Sequence, residues 1–266
     1  MTVYTVLPIT YLLINSTKNI DDFFRTFGLT FGSSFSLWDN LVSLFTVDNG
    51  IYLRWLLNTV FYAVVGGGGA AIISTLAGYG IAKYSFKGRK AIFAITLGAI
   101  AIPGTALALP TFLLASEVSI TNTPWAVIIP ALVNPFGMYL MWIYTSEAVP
   151  DELLEAARID GAGELRIFRV ISLRLLAPGF VTVLLFSVTA SWNNYFLPLL
   201  MLNDPKWYPL TVGLADWNAQ TTGSNPIPLQ NLVLTGSLVA IIPIVVAFLS
   251  LQKYWQSGLA AGGVKQ

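Results

Sequence analysis

The sequence contains no cysteine and no histidine. Without cysteine the chain has no disulfide and no thiolate nucleophile, and without histidine it lacks the commonest metal ligand and general base. Charged side chains make up only 10% of the 266 residues, whereas a soluble domain has about 25%. The 14 basic and 13 acidic residues nearly cancel, to a net charge of +1. We therefore expect no nucleic-acid partner, because this balance would not attract a polyanion.

Long apolar stretches take the place of the missing charge, and hydrophobic residues make up 55% of the chain. Because a membrane-spanning helix needs roughly 20 apolar residues, these stretches predict a polytopic, all-α transmembrane helix bundle. The uncharged stretch at residues 1–17 is too short for a full span and lacks the basic start of a signal peptide. We predict full spans near residues 55–82, 91–116, 124–146, 175–201 and 231–252.

Lysine and arginine side chains are divided unequally between the two sides of this predicted bundle. Cytoplasmic loops carry an excess of basic residues, so the side with more of them is predicted to be cytoplasmic. This places residues 151–174 and the C-terminus inside, and residues 17–53, 117–123 and 203–230 outside. The predicted inner side has Lys83, Lys87, Arg89, Lys90, Arg158, Arg166, Arg169, Arg174, Lys253 and Lys265, and the outer side has Lys18, Arg25, Arg54 and Lys206.

Residues 151–174, here termed the charged loop, are the longest charge-rich interruption between the predicted spans. One charged side chain at the centre of a spanning helix costs about 2.5–3.5 kcal/mol, so this loop projects into water. Strong helix formers at its start and glycines at positions 161 and 163 predict a surface helix, a turn and a second helix that returns to the membrane. Apolar residues at three- and four-residue steps predict one narrow stripe, at Leu154, Ala157, Gly161, Leu165 and Phe168.

Two interpretations of the charged loop are open from its spacing alone. It is either an ordinary solvated loop that happens to be helical, or a surface on which a partner docks. Ala157 and Gly161 lie in the middle of the stripe, where small side chains would let another surface approach closely. The spacing does not decide between these interpretations.

The residues of the charged loop resemble the EAA motif of ATP-binding-cassette importer permeases. Glu-Ala-Ala at 155–157 is followed after three residues by Gly161, and after nine more by Ile171. The sequence EAARIDGAGELRIFRVI is similar to the carbohydrate-importer version, of the maltose-transporter smaller-permease type. One departure is Arg174, which stands where the family has a proline after Leu173. The resemblance implies the fold of a type I importer permease, with five full spans and a partial first helix.

This resemblance implies that the charged loop is the coupling helix, which docks into a cleft on a cytoplasmic ATPase subunit. Residues 256–266 are similar to the C-terminal tail that contacts the ATPase dimer in the maltose transporter, and this match favours a contact over the alternative of a frayed terminus. The tail residues implied in this contact are Gly258, Leu259, Gly262 and Val264. The residues implied in ATPase coupling are Glu155, Ala156, Ala157, Arg158, Asp160, Gly161 and Ile171.

The resemblance also predicts how the chain is divided. Residues 1–16 resemble the second half of the family's first helix, so we expect the chain to begin inside that helix. Residues 17–53 would form an extracellular connector with short helices, residues 54–252 the transmembrane permease domain, and residues 253–266 a cytoplasmic tail. Residues 203–230 correspond in position to a loop that, in the maltose transporter's smaller permease, reaches into the binding protein.

The implied partners are those of a binding-protein-dependent sugar importer in the cytoplasmic (inner) membrane. One such chain builds about half of a pathway, so a second permease subunit, a different chain, is expected in the bilayer. Two ATPase subunits and an extracellular sugar-binding protein complete the assembly. No cofactor is expected on this chain, because it has no Walker motif and ATP with Mg²⁺ would be held by the partner ATPase. The chain is therefore expected to be a pore-forming subunit and not an enzyme.

Polar and flexible residues within the predicted spans are candidates for a translocation pathway. Asn134 lies between two prolines, where it could line a cavity or form an interhelical hydrogen bond. Asn193 and Asn194 are flanked by aromatic residues, which suits a sugar pathway or an aromatic belt at the outer interface. The four glycines at 66–69 allow either close helix contact or a bend during alternating access.

The alternative function is that of an ion-gradient-driven secondary transporter. Such proteins usually carry acidic groups within their spans, near the midplane of the membrane. No Asp, Glu, Lys, Arg or His lies inside the predicted spans, which disfavours proton coupling, although backbone carbonyls could bind sodium. A membrane enzyme is disfavoured as well, because no acid–base pair lies within the predicted spans.

Overall fold

The computed structural model describes residues 2–222 and 226–262, and this part of the chain is helical and contains no strand. The helices of its N-terminal half are α1 (Thr2–Ser16), α2 (Ile20–Arg25), α3 (Leu37–Thr46), α4 (Ile51–Phe61), α5 (Gly69–Lys83), α6 (Arg89–Ile100), α7 (Gly104–Glu117) and α8 (Trp125–Leu132). Those that follow are α9 (Pro135–Ala148), α10 (Asp151–Ile159), α11 (Glu164–Ile167), α12 (Leu173–Trp192), α13 (Phe196–Met201), α14 (Leu210–Gln220) and α15 (Gln230–Gly262). Short 3₁₀ or π segments lie at Val47–Gly50, Tyr62–Gly68, Phe168–Ser172 and Pro205–Trp207.

Several of these stretches are long and apolar enough to cross a membrane. In the described ranges there are four, and a fifth results if α6 and α7 are counted as one broken span. With that pair included, the predicted all-α bundle of five spans is confirmed. The short helix α1, of 15 residues, corresponds to the predicted partial first helix. The four stretches are Leu37–Lys83, Trp125–Ala148, Glu164–Trp192 and Gln230–Gln252.

The prediction of one helix near residues 91–116 is wrong. The structure has two helices there, α6 and α7, with a bend of 108° between them. Pro103 lies at the break with φ −60° and ψ 129°. Proline has no N–H to continue the helical ladder, and its ring disfavours a helical backbone at the preceding residue, Ile102. The break therefore follows directly from a single residue.

Other helix ends also differ from the predicted ones. Helix α12 ends at Trp192 and α13 begins at Phe196, so the predicted helix over 175–201 is interrupted. At its C-terminal end the chain stays helical to Gly262, beyond the predicted end at residue 252. Helices α3 and α4 are separated by a kink at Asp48 and Asn49, where φ is 49° and 58°, respectively. Asp and Asn adopt this left-handed backbone more readily than most residues.

The chain divides into two compact units, one of which, here termed the loop unit, comprises residues 61–192 and 247–266 and carries the charged loop. Its core contains the buried side chains of Tyr79, Met141, Leu154 and Leu176. Helix α5 packs closely on α9, because a Cβ atom at Gly78 would lie only 2.7 Å from the Cβ of Met141. The helix of the charged loop therefore shares one core with the spanning helices α5, α9 and α12.

The described part of the loop unit contains two π segments, and glycine and serine residues accommodate the first of them. A π turn changes which backbone carbonyls are paired. At Tyr62–Gly68, Ser191 Oγ of α12 donates a hydrogen bond to the Tyr62 carbonyl over 2.9 Å. Gly67 lies against the α12 backbone, since a Cβ there would be 2.8 Å from the Ser187 carbonyl oxygen. Of the two interpretations of the glycine run, the structure shows close helix contact.

The second unit, here termed the connector unit, comprises residues 1–60 and 193–246. Aromatic rings form the centre of its core, where Trp55 and Trp217 pack with their ring centroids 4.8 Å apart. Tyr52 Oη donates a hydrogen bond of 2.7 Å to the Gly236 carbonyl. The side chain of Asn40 in α3 donates to the carbonyl of Ser16, the last residue of α1, and to the carbonyl of Lys18. The predicted connector thus belongs to one unit with the first part of the last span, up to Val246.

Candidate functional site

The charged loop has the predicted form of a helix, a turn and a second helix. Acidic residues occupy the first turn of α10 and Arg158 its last turn, which complements the helix dipole. Gly161 then reverses the chain with φ +78°, a left-handed conformation that favours glycine. Helix α11 begins after Gly163 and continues through the π segment into α12. The returning limb of the loop is therefore continuous with a spanning helix.

An ion pair links the two limbs of the charged loop. Arg158 Nε donates to Glu164 Oε1 over 2.7 Å, and a terminal nitrogen of Arg158 donates to Glu164 Oε2 over 3.3 Å. The hydrogen bond from Arg158 to Glu164 raises the pKa of Arg158 above its ordinary value. Both side chains are partly exposed, and water and salt weaken the attraction within such exposed pairs. The pair therefore sets the geometry of the turn more than its stability.

The two faces of α10 have different surroundings. Leu154 and Ala157 are buried in the core of the loop unit. Glu155 and Ala156 are exposed, and Ile159 is 86% exposed. An apolar side chain of this size in water is unfavourable unless a partner covers it. The outer face of α10 can therefore receive a partner, whereas Ala157 contacts its own chain.

The predicted single apolar stripe along the charged loop is wrong beyond α10. Gly161 and Leu165 are exposed, and Phe168 is half-buried. The turn at Gly161 changes the direction of the chain, so that residues after it no longer continue the face formed by Leu154 and Ala157. In α11 the buried side chain is Ile167. The stripe assumed one uninterrupted helix, which the glycine prevents.

Two residues at the end of α5 contact the charged loop. Lys83 Nζ donates to the Val149 carbonyl over 2.5 Å and to Asp151 Oδ1 over 2.7 Å. Tyr84 Oη donates to Glu164 Oε2 over 2.7 Å. The hydrogen bond and positive charge of Lys83 lower the pKa of Asp151, and burial together with Glu164 raises the pKa of Tyr84 to about 12. At neutral pH, Asp151 is therefore ionised and Tyr84 is a neutral donor.

The remaining residues predicted to couple to an ATPase differ in exposure. Asp160 is the exposed C-cap of α10, and its N–H donates to the Ala156 carbonyl over 3.0 Å. Ile171 lies in the π segment and is half-buried against the core of the loop unit. Arg174, at the position where the family has proline, is exposed in the first turn of α12. Of the two predicted coupling residues, Asp160 and Ile171, only Asp160 offers a charged side chain to solvent.

Asn134 forms an interhelical hydrogen bond, which was one of the two roles predicted for it. It is the N-cap of α9, where its side-chain oxygen accepts from the Gly137 N–H over 2.9 Å. Its Nδ2 donates to Ser187 Oγ of α12, also over 2.9 Å. Both ends of the amide are thus used within the loop unit.

Asn193 and Asn194 lie at the interruption between α12 and α13. Asn193 is exposed and Asn194 is half-buried. The carbonyl of Asn194 accepts a hydrogen bond of 2.7 Å from Thr211 Oγ1. Residues at a helix break have backbone groups outside the regular ladder. Their role as pathway residues stays a prediction.

The predicted tail contacts lie at the limit of the described residues. Gly258, Leu259 and Gly262 belong to the helical backbone of α15, but their side chains are not described. Val264 lies outside the described residues altogether. Within the described ranges, no three His, Cys, Asp or Glu side chains are grouped so that they could hold a metal ion.

Lys83 and Tyr84 contact this site although the sequence did not indicate it, and Ile159 is an exposed site residue that the sequence analysis missed. Lys83 and Tyr84 lie 66 to 80 residues away from their partners in the chain. A signal for Ile159 was present, because it follows the hydrophilic outer positions of an amphipathic helix and is apolar.

Substitution of Gly161 by alanine is expected to weaken partner docking at the charged loop, because a Cβ at φ +78° is strained by about 1 kcal/mol. Gly163→Ala is the matched control, since Gly163 is exposed too, has φ −71°, and has open space around its Cβ position. The amount of ATPase retained by the purified protein measures the effect. Equal retention by the two variants would contradict a role for the left-handed turn.

Comparison with known proteins identifies a protein family that this chain matches. The family described as "Binding-protein-dependent transport system inner membrane component" matches residues 69–259. The chain is 35% identical over 262 residues to the arabinooligosaccharides transport system permease protein AraQ of Halalkalibacterium halodurans, covering 98% of this chain and 91% of the relative. It is 36% identical over 243 residues to the maltodextrin transport system permease protein MdxG of Bacillus subtilis, covering 90% and 84%. It is 28% identical over 263 residues to the lactose transport system permease protein LacG of Rhizobium radiobacter, covering 98% and 91%.

A solved structure has the same fold. It is the crystal structure of a bacterial ABC transporter involved in the import of the acidic polysaccharide alginate, with a TM-score of 0.81 at 22% identity. The match covers 96% of this chain and 92% of that chain. The family match and the relatives confirm the resemblance based on the charged loop, and with it the prediction of a permease subunit and not an enzyme. The chain belongs to the family of inner-membrane components of binding-protein-dependent transport systems.

Proposed function

We propose that the chain is the permease subunit of an ATP-driven oligosaccharide importer, in which the charged loop transmits the motion of a partner ATPase. The observation that carries the proposal is the arrangement of α10. Its inner face is anchored by Leu154 and Ala157, while Glu155 and Ile159 are exposed on its outer face. Because a packed core deforms little, a helix anchored in this way moves together with the helices on which it packs. A partner that pulls on the outer face would therefore move the spanning helices.

The proposed partners follow from this arrangement. The exposed face of α10 carries both a carboxylate and a large apolar side chain, so it suits a cleft that is apolar inside and basic at its rim. We assign it to a cytoplasmic ATPase subunit, which binds ATP with Mg²⁺, and place the charged loop and C-terminus in the cytoplasm. A second, different permease subunit, a second ATPase subunit and an extracellular binding protein complete the assembly in the bilayer. The distribution of lysine and arginine supports this orientation.

The substrate class is proposed from the names of the relatives. AraQ, MdxG and LacG are named for arabinooligosaccharides, maltodextrin and lactose, and all of these are sugars of more than one unit. Asn193 and Asn194 are proposed to line the pathway, since neutral amides beside the aromatic ring of Tyr195 suit the hydroxyls and faces of a sugar. Asn134 is not included, because both ends of its amide already have partners.

Co-purification with the candidate ATPase tests the docking surface. We expect Glu155→Lys and Ile159→Asp each to reduce ATPase retention about thirtyfold, because loss of a central interface contact costs about 2 kcal/mol. The first variant reverses a charge that is exposed on α10, and the second places a charge where an apolar side chain would be buried. Uptake of radiolabelled arabinotriose and maltotriose into proteoliposomes with the complete importer then tests the substrate class.

Glu117→Lys is the matched control for the charge reversal. Glu117 is exposed at the end of α7, on the predicted outer side, so this variant should retain the ATPase as the unchanged protein does. Equal membrane insertion of all variants is checked by their amounts in purified membranes. If the Glu155 and Ile159 variants retain the ATPase like the control, the charged loop is not its docking surface. Failure of the unchanged chain to retain a matched ATPase would contradict the proposed function itself.

A further inference from the structure

The C-terminal end of α5 contacts the charged loop at three separate places. Lys83 binds the start of the loop, Tyr84 binds its second limb, and Tyr79 packs on the π segment. The charged loop is joined covalently only to α9 and α12, which lead into it and out of it. Helix α5 is thus a third spanning helix attached to the loop, and it is attached through side chains alone.

The first contact holds the entry into the charged loop. The side chain of Lys83 is only 5% exposed, although that of its partner Asp151 is 75% exposed. A buried ammonium group is unfavourable unless it is paired and hydrogen-bonded. Here it bonds to the Val149 carbonyl and to Asp151, which flank the break between α9 and α10. Lys83 therefore fixes the start of α10 relative to the end of α5.

The second and third contacts hold the returning limb. Tyr84 Oη donates to Glu164, the carboxylate that also accepts from Arg158. One carboxylate thus joins the end of α5 to both limbs of the loop. Tyr79 packs on Phe168 with ring centroids 4.8 Å apart, and its hydroxyl accepts from Ser172 Oγ over 3.2 Å. These contacts cover the loop from its first residue to the start of α12.

We infer that α5 receives the motion of the charged loop directly, through Lys83 and Tyr84 as positioning residues. The inference rests on the proposed function, since it concerns how a movement imposed by the ATPase is distributed. The entry and return helices α9 and α12 must follow the loop because they are covalently continuous with it. The hydrogen bonds of Lys83 and Tyr84 make α5 follow as well. Three spanning helices, α5, α9 and α12, therefore move with the loop, instead of α9 and α12 alone.

Directional contacts suit this role better than apolar packing alone. Apolar packing resists deformation but has no preferred direction, whereas a hydrogen bond also weakens steeply when its geometry changes. Lys83 and Tyr84 are consecutive residues, and they bind opposite limbs of the loop. A shift of the loop along the axis of α5 or across it would therefore break at least one of these bonds unless α5 moved too.

The test is a double variant, Tyr84→Phe with Asp151→Ala, in the complete importer. Both replacements remove the bonding group without adding bulk, and both positions are exposed at the surface, so folding should be retained. We expect sugar transported per ATP hydrolysed to fall about fivefold, at the lower end of usual coupling between sites, while the amount of ATPase retained stays unchanged. Tyr4→Phe with Asp39→Ala makes the same chemical changes at exposed residues of the connector unit and should transport as the unchanged protein does.

A distance measurement separates coupling from mere stability. The chain has no cysteine, so Lys87→Cys and Glu152→Cys, both exposed, can carry spin labels in an importer with cysteine-free partners. The label distance should be the same with and without trapped ATP in the unchanged background, and it should differ between these states in the double variant. A distance that changes with ATP in the unchanged background, or a double variant with normal transport per ATP, would overturn the inference. Loss of the ATPase from the unchanged chain would instead contradict the proposed function.

Discussion

Substitution of Gly67 by valine is expected to lower the midpoint of thermal unfolding strongly, whereas the same substitution at Gly68 should leave the midpoint close to normal. A Cβ atom at Gly67 would lie 2.8 Å from the carbonyl oxygen of Ser187 and 2.8 Å from the Cα of Val188. Both atoms belong to the backbone of α12, so no side-chain rotation can relieve the clash. The first span and α12 would have to separate. Overpacking costs about 1–3 kcal/mol, and a clash with backbone lies at the upper end of that range.

The measurement is the midpoint of thermal unfolding in detergent, followed by fluorescence-detected size-exclusion chromatography. Gly68→Val is a close control, because it adds the same β-branched residue one position along and its Cβ would meet nothing within 4 Å. We expect the Gly68 variant to unfold near the midpoint of the unchanged protein. If both variants unfold at the same temperature, the close approach at Gly67 does not limit helix packing.

The glycine run also illustrates how far the sequence predicts the fold. The spans were predictable because a run of about 20 apolar residues has few other stable arrangements. The sequence left open whether the glycines serve contact or bending. In the structure Gly67 needs the space and Gly68 does not, and this difference depends on which side of the helix faces α12. A glycine-rich sequence has no side-chain pattern from which that side could be read.

The break between α6 and α7 could have been predicted more accurately. Pro103 follows a helix of twelve residues and begins another, and proline disfavours a helical backbone at the residue before it. The apolar composition continues across the break, so hydropathy alone extends one helix through it. Pro110 and Pro178, by contrast, lie inside helices. The residue type shows where a break is allowed, and the packing decides where one occurs.

In the charged loop the local form was predictable and its contacts were not. Helix formers, glycines and charge order give α10, the turn at Gly161 and α11 correctly. The division of α10 into a buried and an exposed face also follows its periodicity at Leu154 and Ala157. The contacts of Lys83 and Tyr84 join positions distant in the chain, and one sequence contains no information about such pairs. Sequence therefore predicts which segment is the site, and structure shows what holds it.

Substitution of Asn40 by alanine is expected to destabilise the connector unit by about 3 kcal/mol. Asn40 Nδ2 donates to the carbonyls of Ser16 and Lys18 over 2.9 and 2.8 Å. Its Oδ1 accepts from Asn231 Nδ2 at the start of α15 over 2.8 Å. One buried amide thus joins the end of α1, the connector and the last span. Alanine would leave these polar groups unpaired, and each such group costs about 1–3 kcal/mol.

Asn218→Ala is the matched control for this prediction. Asn218 lies in α14 of the same unit, and its side chain is exposed to solvent. Surface substitutions of this kind usually change stability by no more than about 0.5 kcal/mol. The midpoint of thermal unfolding, read for both variants in the same detergent, should fall for Asn40→Ala and stay in place for Asn218→Ala. Equal midpoints would mean that water replaces the three hydrogen bonds, and that α1 is held to α15 by apolar contacts instead.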